Sequence, residues 1–91
     1  MRNNVEYPLL EEWNVNEIVI VSDFYLQVEQ ANTKGISRDE LLAGYQKYLQ
    51  VVPAKMLQKQ LDKRFETASG YSIYRTIEEA KKSSQKIIKI S

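Results

Sequence analysis

The segment from Gly70 to Arg75 carries the side chains of this sequence that are best suited to binding another molecule. Tyr71 and Tyr74 lie three residues apart, and Arg75 follows at once. Tyrosine and arginine combine a large contact area with a polar end, which is typical of energetic hot spots at protein interfaces. The same side chains could stack on a nucleic-acid base and contact a phosphate. A third interpretation is that both rings pack the joint between two helices and leave their hydroxyl groups in water.

A line of basic residues forms a second candidate surface. Lys55, Lys59 and Lys63 recur every fourth residue, and Arg64 adds a fourth positive charge. On a helix that turns about 100° per residue the three lysines share one side, where they could bind a phosphate backbone. Acidic residues interrupt the line, and few neighbouring side chains could read base edges. A solvated helix face is the simpler interpretation, and nucleic-acid binding is the alternative.

The composition excludes the commonest catalytic and metal-binding chemistry. The 91 residues include no histidine and no cysteine, which are the usual general base near neutral pH and the readiest nucleophile. Glu78 and Glu79 are adjacent and would not face each other on a helix. Ser37, Ser69 and Ser72 are better explained as helix caps than as nucleophiles. The sequence therefore predicts a non-enzyme with no cofactor and no metal site.

Length, charge and hydropathy favour one small folded domain. Hydrophobic residues make up 43% of the chain and charged residues 27%, which is typical of globular proteins. Residues 1–45 hold three basic and eight acidic residues, and residues 46–91 hold ten and four. The longest uninterrupted apolar run, Ile18 to Val21, is too short for a membrane span or a signal peptide. We expect a cytoplasmic protein without membrane association that works as a monomer or homodimer.

Capping residues and helical periodicity predict four helices. Asn14, Ser37 and Ser72 are suited to cap helix starts. Gly70 is a typical helix stop, and Pro53 either ends the second helix or starts the third. The first helix is predicted to stop at Lys34-Gly35. The stripes expected to be buried are Ile18, Val21, Tyr25 and Val28; Leu41, Tyr45, Tyr48 and Val52; Leu57, Leu61, Phe65 and Ala68; and Ile73, Ile77 and Ala80.

The two ends of the chain are predicted to be extended. Residues 1–13 form an arm anchored by Trp13, and residues 84–91 form a tail. The isoleucines of that tail, at 87, 88 and 90, are too apolar to stay free in water. They could extend the fourth helix, cover the core, or pair as a strand with the arm at 5–10 or with a second chain. The predicted fold is an all-α, single small domain over residues 1–91, an irregular bundle of about four helices with an extended N-terminal arm and a short C-terminal tail.

Several of these segments resemble the YktA-like uncharacterised protein family of low-GC Gram-positive bacteria. The resemblance rests on Tyr7-Pro8-Leu9, Trp13, Glu17-Ile18-Val19, Val52-Pro53-Ala54-Lys55 and, most specifically, Ser69 to Arg75. It covers nearly the whole chain and implies a small, cytosolic, all-helical protein without an assigned activity. No catalytic or binding residue follows from it.

The leading hypothesis is a non-catalytic protein-interaction or regulatory module. Its partner is an unknown macromolecule, expected to be a protein, and its predicted contact residues are Tyr71, Tyr74 and Arg75. The alternative is a weak nucleic-acid-binding protein that uses the basic line of the third helix.

Overall fold

Four helices and two short strands make up the part of the chain that the structure, a computed structural model, describes, which is residues 7–90. The described part is mostly helical, so the predicted all-α class is confirmed, with one small two-stranded sheet added to it. The elements in chain order are α1 (Val15–Ala31), β1 (Ile36–Ser37), α2 (Arg38–Val51), α3 (Lys55–Ser69), α4 (Ile73–Lys82) and β2 (Ile87–Ile88).

The predicted caps form at the helix ends. Asn14 Oδ1 accepts from the backbone N of Glu17 at 2.8 Å, and Glu17 Oε1 accepts from the backbone N of Asn14 at 2.9 Å, which completes a capping box. Ser37 Oγ accepts from the backbone N of Glu40 at 3.3 Å. Gly70 ends α3 with φ of 86°, a left-handed conformation that is unfavourable for residues with a Cβ atom. Local sequence thus determines where these helices begin and end.

The end of α1 differs from the sequence-based prediction. The helix stops at Ala31, three residues before the predicted Lys34-Gly35. Asn32 caps it, because its Nδ2 donates to the backbone O of Val28 at 2.8 Å and to Thr76 Oγ1 at 2.9 Å. The side chain therefore satisfies a terminal carbonyl of α1 and links α1 to α4.

Aromatic rings from three helices and the arm form the centre of the core. Phe24 stacks on Tyr48 with ring centroids 4.7 Å apart, and Tyr25 stacks on Phe65 at 4.8 Å. Tyr7 of the arm contacts Phe65 at 4.8 Å and meets Tyr25 edge-on at 5.7 Å. Such pairs add about 0.5–1.5 kcal/mol each beyond the burial of their area.

The predicted apolar stripes are largely buried. Trp13 is buried as well, and Tyr25 Oη donates to the backbone O of Pro8 at 2.9 Å. Residues 7–13 of the arm therefore lie against the core as predicted, and the rest of the arm, residues 1–6, lies outside the described residues. The prediction of full burial is wrong for four residues, which are half-buried: Ile18, Tyr45, Leu57 and Ala68. The first three pack against the core from its periphery.

The C-terminal tail folds back as a strand. β2 pairs antiparallel with β1 and places Ile88 opposite Ile36, and Ile88 is buried. The predicted docking of the tail thus occurs, but it pairs with β1 and not with the arm at 5–10, of which residues 5 and 6 lie outside the described residues. Only residues 83–86 separate α4 from β2. The short connection keeps the tail close to β1, which directly precedes α2. Ile87 and Ile90, which were expected to be covered, remain exposed.

Candidate functional site

A groove of about 730 Å³ opens between α3 and α4, with α2 at its base. Its volume lies within the roughly 300–1,000 Å³ that is common for ligand sites. Tyr45 and Tyr48 of α2 line the base, and Ile73 and Ile77 of α4 add apolar surface. The groove therefore combines an aromatic and apolar base with polar walls from two helices.

Asp62 holds α4 against α3 beside this groove. Its Oδ1 accepts from the backbone N of Ile73 at 2.8 Å, and its Oδ2 accepts from the backbone N of Tyr74 at 3.2 Å. Ser72 Oγ accepts from the backbone N of Arg75 at 3.2 Å, so the first three amides of α4 all have acceptors. The carboxylate also lies at the positive end of the α4 dipole. Sequence reasoning missed this role, because the acceptor lies eleven residues before the helix that it caps.

Replacing Asp62 with alanine should lower the free energy of unfolding by about 1–2 kcal/mol, because two amides of α4 lose their acceptor. Urea denaturation measures this loss. Asp62→Asn keeps one carbonyl oxygen and should lose less. Glu66→Ala removes an exposed carboxylate one turn further along α3 and should change stability by less than about 0.5 kcal/mol. Equal effects of Asp62→Ala and Glu66→Ala would contradict the assigned capping role.

Tyr48 lines the base of the groove, and its buried hydroxyl has no hydrogen-bond partner among the described residues. The side chain is 2% exposed. Burial, together with the negative charge of nearby Asp62, raises the pKa of Tyr48 above its ordinary value of 10.0. The hydroxyl therefore stays protonated at neutral pH. An unsatisfied buried polar group costs about 1–3 kcal/mol, so this hydroxyl is a local cost to stability beneath the groove.

The predicted basic line forms one wall of the groove. Lys55, Lys59 and Lys63 are exposed and line the α3 side, while Arg64 is exposed outside the lining. Three of the four residues of the nucleic-acid hypothesis therefore face one concave surface. Asp62 and Glu66 belong to the same wall, so the charge there is mixed, with three lysines against two carboxylates.

The opposite wall comes from α4 and carries both an aromatic ring and charges. Tyr74, Glu78 and Lys81 follow one another along this side of the groove. Lys81 Nζ lies 5.6 Å from the centre of the Tyr45 ring, which is within the range of a cation–π contact. This contact connects the α4 wall to the base formed by α2.

The three residues predicted to bind a partner occupy different environments. Tyr74 is 68% exposed and lines the groove. Tyr71 is half-buried and packs against the core, as in the interpretation that it fills a joint between helices. Arg75 is exposed but does not line the groove. The structure instead joins Tyr74 to the lysine line, although sequence reasoning treated the two as separate sites.

These features define a class of small, mostly helical protein with a mixed aromatic and charged groove. Within residues 7–90, no cluster of three or more potential metal-ligating side chains could hold a metal ion. None of the helices in that part of the chain is long and apolar enough to cross a membrane.

The chain belongs to the uncharacterised protein family UPF0223, whose family model matches residues 4–89. It is 45% identical to a UPF0223 protein of Bacillus cytotoxicus, with 93% of this chain and 97% of the relative covered. It is 46% identical to one of Enterococcus faecalis, with 85% and 84% covered. A UPF0223 protein of Streptococcus thermophilus is 44% identical, with 88% and 86% covered. The resemblance to an uncharacterised family of low-GC Gram-positive bacteria is confirmed, and none of these names states an activity.

Proposed function

We propose that this protein is a non-catalytic, cytoplasmic interaction module that binds a protein partner in the groove between α3 and α4. The observation that carries the proposal is the exposed ring of Tyr74 on the wall of a groove that also contains apolar surface and lysines. An exposed aromatic ring beside apolar groups and a charged rim is typical of interface anchors.

Tyr74→Ala should remove the specific partner that the wild-type protein captures from a native bacterial lysate. Loss of an aromatic hot spot costs about 2 kcal/mol or more, which is roughly 30-fold in affinity. Met56→Ala is the matched control, because Met56 is 73% exposed on α3 and does not line the groove. Mass spectrometry of the captured proteins compares the two variants, and thermal unfolding verifies that both are folded. Capture of the same specific partner by Tyr74→Ala at wild-type levels would refute the site.

A second candidate function is weak nucleic-acid binding, which the position of the lysine line favours. Lys55, Lys59 and Lys63 span about 12 Å along α3 at 1.5 Å per residue and are all exposed on one wall. Binding to short DNA and RNA would weaken steeply with salt concentration, because phosphate contacts release counterions. A salt titration of the wild type and Lys59→Gln tests this function. Absence of binding at low salt would exclude it.

A further inference from the structure

The outer side of α1 carries a second apolar face, which remains exposed in the described chain. Val15, Val19 and Leu26 are 77%, 50% and 51% exposed. Steps of four and seven residues place them on one side of the helix, and we call these three residues the outer ridge. The buried residues of α1, which include Phe24 and Val28, lie on the opposite side. The outer ridge therefore points away from the core.

Acidic side chains border the outer ridge on both sides. At about 100° per residue, Asp23 lies roughly 60° to one side of Leu26 and Glu29 roughly 60° to the other. Two outer ridges packed against each other would bring these carboxylates together, and like charges at a contact are unfavourable. The natural complement of the ridge is an apolar surface bordered by positive charge.

The groove between α3 and α4 supplies such a surface. Its base is apolar and aromatic, and its four lysines outnumber its three carboxylates, Asp62, Glu66 and Glu78. Lys55, Lys59 and Lys63 place most of this positive charge on the α3 wall. Docking of an amphipathic helix into a groove is a recurrent recognition mode, in which apolar side chains fill the base and charges pair at the rim. No residue of α1 lines the groove, and the outer ridge lies opposite the buried side of α1. The ridge and the groove are therefore available to meet between two copies of the chain.

We infer that the outer ridge of one copy docks into the groove of a second copy, and that two reciprocal contacts close a twofold dimer. This inference rests on the proposed function of the groove as a protein-binding surface and names a second copy as the partner. Each protomer contributes one ridge and one groove, so the same contact forms twice about the symmetry axis. The acidic first half and the basic second half of the chain thereby face each other across the interface.

A charge-swap experiment tests this arrangement. The groove variant combines Lys59→Glu with Lys63→Glu, and the ridge variant combines Asp23→Lys with Glu29→Lys. In the homodimer of either variant, like charges would face each other at both contacts, whereas in a mixed dimer opposite charges would face each other at both. Analytical ultracentrifugation should show a wild-type dimer, a dissociation constant raised at least about tenfold for each variant alone, equivalent to 1.4 kcal/mol, and recovery of the dimer on mixing.

A matched control combines Lys47→Glu with Lys82→Glu, which changes the same number of exposed charges outside the groove lining and should leave the dimer intact. Thermal unfolding of each variant verifies the fold. A wild-type protein that stays monomeric up to millimolar concentration would overturn the inference, and so would a dimer that both variants retain. If the wild type is monomeric while Tyr74→Ala still loses a lysate partner, self-association fails and the proposed function stands. If the charge swap behaves as expected but Tyr74→Ala loses no lysate protein, the groove binds a second copy of this chain. That outcome supports the inference and refutes a separate protein partner.

Discussion

Phe65→Ala should reduce the free energy of unfolding by about 3–5 kcal/mol, the range for truncating a large aromatic side chain in a packed core. Phe65 is fully buried on α3 and contacts the rings of Tyr25 and Tyr7 at 4.8 Å each. Its removal leaves a cavity where α1, α3 and the N-terminal arm meet. Stabilities of small domains are typically about 5–15 kcal/mol, so this single change would remove a large part of the total. Equilibrium denaturation in urea measures the loss.

Met56→Ala provides the control for this experiment. Met56 lies on the same helix and is 73% exposed, so its truncation should change stability by less than about 0.5 kcal/mol. A loss below about 1 kcal/mol for Phe65→Ala would contradict the assigned orientation of α3. The two variants together separate an effect of the core from an effect of helix propensity.

Deleting residues 86–91 should lower the melting temperature by about 10 °C or more. The deletion exposes the site that Ile88 covers, and burial of such a side chain contributes about 1.5–3 kcal/mol. It also removes two backbone hydrogen bonds of 2.8 Å, from Arg38 N to Lys86 O and from Ile90 N to Ala31 O. Each kcal/mol lost from the free energy of unfolding lowers the melting temperature of a domain of this size by about 4–8 °C. Differential scanning calorimetry of the truncated protein measures the shift.

Ile87→Ser is the matched control for the truncation. Ile87 belongs to the same strand but is 58% exposed, so the substitution leaves the buried contact and the strand pairing in place. Its melting temperature should stay within about 4 °C of the wild type, since exposed substitutions change stability by about 0.5 kcal/mol or less. Unchanged melting of the truncated protein would show that β2 contributes nothing to the fold.

The sequence alone determined the helices and the absence of common catalytic groups. Asn14 and Ser72 cap helix starts and Gly70 ends α3, because these signals act through backbone hydrogen bonds within one or two turns. The apolar stripes were predictable for the same reason, since a period near 3.6 residues places them on one face of a helix. The missing histidine and cysteine limit the available chemistry whatever the fold.

The tertiary structure decided which of these faces meet. It brought Asp62 to the first turn of α4, paired β2 with β1, and joined Tyr74 to the lysine line in one groove while half-burying Tyr71. Each of these results depends on the angles and distances between the helices, which are set by side-chain packing throughout the core. The local sequence around a residue does not determine how distant helices pack. The capping role of Asp62 and the groove-lining roles are therefore visible only in the folded structure.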